Sequence, residues 1–147
     1  MRDKVAYKIG FPSLFYPEIT LAEQLEIAAS KYGEKTALIY AEPKFPIDAQ
    51  EKMTFKELND MTNKLASSLI ELGIKKGERV GICIPNSPDY VVSIYALWKI
   101  GAVVVPINPM YKEIELEYIL KDSEATAIII HNLKKKIRME IKLLSAC

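Results

Sequence analysis

Cysteine is almost missing from this chain of 147 residues, which contains only Cys83 and Cys147. Two cysteines cannot build the disulfide framework of a small secreted protein. The first residues also lack the apolar segment of a secretory leader. Both absences predict a protein of a reducing compartment, and we expect it in the cytoplasm.

Histidine occurs once, as His131, with no cysteine, second histidine or nucleophile near it in the sequence. A metal or catalytic set needs such neighbours, so we interpret His131 as structural or solvent-exposed. A phosphate-binding glycine loop is missing too. Gly73, Gly77 and Gly81 are evenly spaced, but no Lys-Ser or Lys-Thr pair follows them at a helix start. We interpret them as turn and strand glycines.

Long hydrophobic runs are limited to residues 90–107, which approach the minimum length for crossing a bilayer. Lys99 lies inside this run, and Gly101 is typical of a helix end. The β-branched residues 103–105 then change the pattern from helix to strand. The run therefore predicts a buried helix followed by a buried strand.

Charge is nearly balanced, with a net charge of +1, but it is unevenly placed. Residues 133–147 hold five cationic residues and one acidic residue, so the body of the chain is mildly acidic. No aromatic stacking pattern accompanies the cations, and we predict no nucleic-acid binding. The apolar residues of this tail fall at helical spacing and predict a terminal helix: Leu133, Ile137, Ile141 and Leu144. Such a helix could dock on its own domain, which we favour, or lie on a membrane surface.

The apolar periodicity predicts an α/β fold. A helix starting at Thr20 and a hairpin over residues 36–41 and 52–54 come first. A one-sided helix over residues 54–72 follows, with an expected core face of Phe55, Leu58, Met61, Leu65, Leu69 and Leu72. The remaining order is strand, helix, strand, helix, strand, at residues 79–84, 88–100, 102–107, 112–121 and 126–131. Such uniformly apolar strands indicate a small parallel β-sheet with helices on both faces.

The predicted domain organisation has three parts. An irregular arm covers residues 1–19, a single α/β domain covers residues 20–131, and the basic amphipathic tail covers residues 132–147. A chain of this length is sufficient for one domain with a substantial core.

Ligands of open α/β sheets bind beyond the carboxyl ends of the strands. Four polar residues are expected there: Asn86, Ser87, Asn108 and Tyr111. We interpret them first as caps and turn formers, because Asn and Ser take those roles more often than they contact ligands. Three glutamates on a helix that also bears lysines are interpreted as a solvated face: Glu113, Glu115 and Glu117. The residues alone thus predict no catalytic, cofactor-binding or metal-binding residue.

Five motifs follow one another along residues 53–130: Thr54-Phe55-x-Glu57-Leu58, Leu72-Gly73 with Gly77-Glu78-Arg79-Val80, Pro85-Asn86-Ser87-Pro88, Gly101-Ala102-Val103-Val104-Val105-Pro106-x-Asn108-Pro109 and Glu115-Leu116-x-Tyr118-x-Leu120-x-Asp122-Ser123. In this order they resemble the N-terminal part of AMP-forming acyl-CoA synthetases, and residues 106–123 look most like long-chain fatty-acid-CoA ligases. The resemblance extends over residues 11–131. Glu78 stands where Asp is common in the family and Glu124 where Gly is common, and both exchanges are interpreted as conservative.

The resemblance implies a reaction in which ATP activates a fatty acid to an acyl adenylate before transfer to coenzyme A. The family uses ATP, Mg and CoA through motifs further along its longer chains: a phosphate loop, adenine and ribose contacts, a Mg-binding acid and a lysine of a mobile domain. None of these motifs occurs here. We therefore expect a truncated relative, from a frameshift or a split gene, that is inactive alone and holds no cofactor.

Two alternatives from a different class remain open. The chain could be a non-catalytic assembly module, or it could pair with a separately encoded C-terminal part of a synthetase. An isolated piece of a larger sheet should expose apolar surface and a strand edge, so we predict a homo-oligomer.

Overall fold

Helices and strands alternate along the chain in the computed structural model, which describes residues 18–41, 51–131 and 139–144. Most of the predicted arm and residues 132–138 and 145–147 of the predicted tail lie outside the described residues. The elements are α1 (Leu21–Tyr32), β1 (Thr36–Tyr40), β2 (Glu51–Thr54), α2 (Phe55–Glu71), β3 (Arg79–Cys83), α3 (Pro88–Lys99), β4 (Val103–Pro106), α4 (Glu113–Asp122), β5 (Ala127–His131) and β6 (Met139–Leu143).

The strands form two sheets. β1 and β2 make an antiparallel pair, which confirms the predicted hairpin. The larger sheet has the order β4-β3-β5-β6, with β3 parallel to both β4 and β5. The predicted parallel sheet from a β-α-β-α-β unit is therefore confirmed.

The two faces of the larger sheet are covered differently. The first face is defined by side chains that pack with α2 and α3 in the main core: Val80, Ile82, Ile84, Ala127 and Ile129. The second face carries Gly81, Cys83, Ile128 and Ile130, the alternate residues of the same strands. α4 covers it, since the Leu120 side chain lies 3.3 Å from a β-carbon built on Gly81. Helices on both faces, as predicted, enclose the sheet.

The starts of α1 and α2 are both capping boxes. Thr54 Oγ1 accepts a hydrogen bond from the Glu57 N–H at 3.2 Å, and Glu57 Oε2 accepts from the Thr54 N–H at 2.8 Å. Thr20 and Glu23 make the same exchange at 3.1 and 2.6 Å. These bonds satisfy N–H groups that a helix start otherwise leaves without partners.

The core face of α2 differs from the expected one. Met61 and Leu72 are 40% and 45% exposed, whereas Thr62 and Ala66 are buried beside Leu69. Small residues at a helix contact allow α2 to approach its neighbours closely. The buried Thr62 hydroxyl has a hydrogen-bond partner, because it donates to the Leu58 carbonyl at 2.6 Å.

The apolar run over residues 90–107 forms α3 and β4, as predicted. Over residues 18–41, 51–131 and 139–144, no helix combines the length and the apolar character needed to cross a bilayer. Lys99, the charge inside the run, keeps only 8% of its side chain exposed and pairs with Glu26 of α1. The lysine therefore holds the N-terminal helix onto α3.

The predicted terminal helix is wrong over the described part of the tail. Residues 139–143 form β6, which pairs with β5 in antiparallel register and places Ile141 against the main core. The stretch from Met139 to Leu143 alternates apolar and charged residues, a period of two that suits an edge strand. Ile141 and Leu144 also fit a helical spacing. The segment forms a strand because the backbone groups along the edge of β5 need hydrogen-bond partners, which β6 supplies.

The two departures from the family pattern have different structural consequences. Glu78 caps a turn, because its carboxylate accepts the Lys75 N–H at 3.0 Å. Glu124 adopts φ 51°, a left-handed conformation that glycine reaches without the cost of a β-carbon. Its side chain pairs with Arg79 at 2.9 Å. For the backbone, the exchange of Gly for Glu at residue 124 is therefore not conservative, which corrects the interpretation from the sequence.

Candidate functional site

An open cleft of about 590 Å³ lies at the carboxyl ends of β3 and β4. β3 continues into α3 on the first face of the sheet, and β4 continues into α4, which lies on the second face. The segments that follow β3 and β4 therefore run to opposite faces of the sheet and leave a crevice between them. Open α/β sheets bind ligands in such crevices. The lining residues are Ile84, Pro85, Asn86, Tyr90, Pro106, Ile107, Asn108, Pro109, Met110, Tyr111 and Ile119.

Three of the four polar residues proposed from the sequence meet at this cleft. Asn86, Asn108 and Tyr111 line it, and Ser87 does not. The Ser87 hydroxyl instead accepts the Tyr90 N–H at 3.3 Å, at the start of α3. Ser87 is thus the helix cap that its sequence position indicated.

Asn108 has a structural task within the loop. Its side-chain oxygen accepts the Met110 N–H at 2.9 Å, and its carbonyl accepts the Tyr111 N–H at 3.1 Å. This pattern is an Asx turn, which fixes the path from β4 toward α4. The polar side chains that line the cleft are the amides of Asn86 and Asn108 and the phenols of Tyr90 and Tyr111.

The backbone of the cleft is poorly suited to a phosphate group. A phosphate cradle needs several free N–H groups, and Pro85, Pro106 and Pro109 have none. Other lining N–H groups are already bonded within the protein: Tyr90 to Ser87, Ile107 to Ile82, Met110 and Tyr111 to Asn108. None of the described lining residues is charged. The cleft can hold an apolar or aromatic group, but it offers no cation to neutralise a phosphate.

Eight further cleft residues were not proposed from the sequence: Ile84, Pro85, Tyr90, Pro106, Ile107, Pro109, Met110 and Ile119. Tyr90 lies in the first turn of α3, and Ile119 reaches the cleft from α4, a helix that comes later in the chain. Only the crossover from β4 to β5 brings α4 to this position. Among these residues only Met110 had a signal in the sequence, because an apolar residue in a predicted turn is unusual. It is 85% exposed.

The remaining candidates lie apart from the cleft. His131 ends β5, is half-buried and stands opposite Met139 of β6. Gly73 and Gly77 have φ values of 93° and 85° in the turn before β3, and Gly81 lies within β3. These positions confirm the interpretation of the three glycines as turn and strand residues.

The three glutamates of α4 are exposed. Glu115 accepts the Lys112 N–H at 2.9 Å, and Glu117 pairs with Lys121 at 2.7 Å. The hydrogen bond and the positive charge of Lys121 lower the pKa of Glu117. Within the described ranges, no three Cys, His, Asp or Glu residues are grouped closely enough to hold a metal ion.

Comparison with known proteins gives consistent results. The model of the family described as AMP-binding enzyme matches residues 25–146. A long-chain-fatty-acid–CoA ligase of Salmonella typhimurium is 36% identical over 124 residues, which are 80% of this chain and 21% of the relative. The crystal structure of a long-chain-fatty-acid–CoA ligase from Archaeoglobus fulgidus superposes with a TM-score of 0.77 and 59% identity, over 85% of this chain and 25% of that one.

A similar superposition is found with the N-terminal subdomain of Klebsiella oxytoca NpsA, at a TM-score of 0.69 and 27% identity. It covers 79% of this chain and 28% of that one. The chain thus spans only about a fifth of the length of the curated ligases that it matches.

Proposed function

The chain belongs to the AMP-binding enzyme family, and we propose that it supplies the N-terminal scaffold of a ligase acting on long-chain fatty acids. In the reaction of such a ligase the fatty-acid carboxylate attacks the α-phosphate of ATP and releases pyrophosphate. The thiol of coenzyme A then takes the acyl group and releases AMP. In this proposal the segment of 147 residues does not perform either step by itself.

The observation that carries the proposal is the uncharged, proline-rimmed cleft. Transfer of a nucleotide to a carboxylate places negative charge on phosphate oxygens, which must be stabilised by cations and by free backbone N–H groups. The cleft has no cation among its described residues, and the N–H groups of Tyr90, Ile107, Met110 and Tyr111 are already bonded within the protein. The cleft is therefore better suited to contact a neighbouring part of the ligase than to bind and activate a nucleotide.

Two measurements test the proposal. The isolated chain, incubated with ATP, Mg²⁺, CoA and fatty acids of several lengths, should release no AMP and form no acyl-CoA above background. A chimera in which this chain replaces the matched quarter of the Archaeoglobus ligase should form acyl-CoA, because the two segments are 59% identical. Turnover by the isolated chain, or a folded chimera without activity, would contradict the proposal.

The second candidate is a non-catalytic assembly module, and the outer edge of β6 favours it. Hydrogen bonds to β5 alternate along β6, so the N–H groups of Ile141 and Leu143 point away from β5. No described strand pairs with this edge. The opposite edge offers fewer donors, because Pro106 of β4 has no N–H. A homo-oligomer formed through β6 should be detected by light scattering at high protein concentration, and a monomer there would exclude it.

The same proposal places the protein in the cytoplasm. Cys83 is a free thiol. Burial raises its pKa, so it is held as an unreactive thiol. Fractionation of the source cells tests the location, and recovery outside the cytoplasm would contradict it.

A further inference from the structure

The outer side of α4 is apolar although it faces solvent. Ile114 is 82% exposed and Tyr118, one turn later, is 67% exposed. Met110, in the turn before the helix, is 85% exposed. We name Met110, Ile114 and Tyr118 the α4 stripe. A helix that only shields a sheet normally carries polar residues on this side, so the stripe indicates a surface that another structure covers.

The packing of α4 supports this interpretation. Its inward residues Leu116, Ile119 and Leu120 are half-buried, and none of its ten residues, all of them described, is fully buried. On the first face of the sheet, α1 forms a further layer over α2 and α3. No described element forms such a layer over α4. The second face of the sheet therefore stops one layer short of the first.

The charges beside the stripe are mostly acidic. Glu113, Glu115, Glu117 and Asp122 lie on the same helix, and Lys121 is already paired with Glu117. A second copy of this chain, packed stripe to stripe about a twofold axis, would bring two acidic rims together. Like charges facing each other oppose such a contact, so a partner with a basic rim fits better.

We propose that the α4 stripe is the docking surface for the remaining polypeptide of an AMP-binding ligase, which presents an apolar patch with a basic rim. This inference rests on the proposed function. It is supported by the share of the relatives that this chain does not span, since it covers 25% of the Archaeoglobus ligase and 21% of the Salmonella relative. The partner polypeptide can be continuous with this chain or separately encoded.

The test uses the chimera with the Archaeoglobus ligase and the double variant Ile114→Gln, Tyr118→Gln. In the chimera we expect the double variant to lower the melting temperature by several degrees, because two polar side chains replace apolar ones in a covered contact. In the isolated chain the same variant should leave the melting temperature nearly unchanged, because both positions are exposed there. The matched control, Ile114→Leu with Tyr118→Phe, keeps the stripe apolar and should preserve the stability of the chimera.

The possible outcomes separate the two proposals. A folded parent chimera without acyl-CoA formation refutes the proposed function, while its melting temperature still tests the stripe. Equal melting temperatures of the parent chimera and the Gln variant overturn the docking surface. An isolated chain that dimerises, and becomes monomeric in the Gln variant, assigns the stripe to a second copy and also overturns it. If the chimera does not fold, the Gln substitutions are made at the aligned positions of the Archaeoglobus ligase, where unchanged stability would overturn the proposal.

Discussion

The two faces of the larger sheet differ in depth of packing although they belong to the same strands. The first face presents Val80, Ile82 and Ile129, all fully buried beneath α2 and α3. The second face presents the buried Gly81 and Ile128 and the half-buried Cys83 and Ile130 beneath α4 alone. Free energy from burial grows with the apolar area removed from water, so the first face holds most of the stability. The second face instead holds the surface through which the chain is proposed to meet its partner.

The helices on the two faces also differ in how their first turns are capped. α1 and α2 begin with threonine capping boxes, and α3 begins with a serine cap. The N-cap of α4 is Lys112, whose ammonium group cannot accept a hydrogen bond, so only the Glu115 half of a capping box is present. A weaker start suits a helix whose stability is completed by packing against something else.

The largest expected effect compares neighbouring residues of β5 on opposite faces. Ile129→Ala should destabilise the protein by about 2–5 kcal/mol, because it leaves a cavity in the main core. Ile130→Ala removes the same atoms from the half-buried second face and should cost clearly less. Urea unfolding of both variants measures the difference. Equal losses would mean that the two faces contribute alike.

The next effect concerns the outer layer of the first face. Glu26→Gln should destabilise the chain by about 1–3 kcal/mol, because it leaves the buried Lys99 ammonium without its counter-charge. Lys99→Met, which replaces the cation with an apolar chain of similar length, should cost less than Glu26→Gln. Thermal unfolding of the two variants provides the comparison, and the opposite order would show that the ion pair does not hold α1 onto α3.

A smaller effect, of opposite sign, is expected in the turn after α4. Glu124→Gly removes a β-carbon from a left-handed backbone, which should stabilise the protein by about 1 kcal/mol. It also removes an exposed ion pair with Arg79, which contributes about 0–1 kcal/mol. The control Glu124→Ala loses the ion pair but keeps the strain, so it should be destabilised. A destabilised Gly variant would show that the ion pair outweighs the backbone strain.

The smallest effect is a pH dependence at the start of α2. Hydrogen bonds from the Thr54 backbone and side chain lower the pKa of Glu57. A carboxyl group whose pKa is lowered by folding stabilises the protein fully above its unfolded pKa, about 4.3, and loses this contribution as the pH falls through the folded value. Glu57→Gln should therefore flatten the decline of stability below about pH 4. An unchanged acid decline, measured by urea unfolding at several pH values, would exclude Glu57 as a source.

Local signals predicted much of this fold. Three helix starts were predicted from their capping residues, Thr20, Thr54 and Ser87. The parallel sheet was predicted from the apolar strands and the helices between them. Hydrogen bonds between residues three apart depend on little outside the segment itself, so they are visible in the sequence. The same applies to Asn86, Asn108 and Tyr111 at the carboxyl ends of the strands, because the strand order alone places them there.

The errors arose where distant segments compete. The spacing of Ile141 and Leu144 fits a helix, but pairing with β5 makes residues 139–143 a strand. The core face of α2 depends on how closely α1 and α3 approach, which buries Thr62 and leaves Met61 exposed. The backbone angle of Glu124 had no signal in the sequence except the resemblance, in which glycine is common at that place.

The sequence by itself determined the order of the elements from α1 to β5, the caps of α1, α2 and α3, the family and the absence of a phosphate loop, because each depends on residue types at short spacing. Only the tertiary structure decided which residues close the cleft, why Lys99 lies buried in an apolar run, and which side of α4 is left uncovered. These properties depend on contacts between segments far apart in the chain, such as α1 with α3 and α4 with β3. Such contacts depend on packing in three dimensions, which cannot be read from the spacing of residue types within one segment.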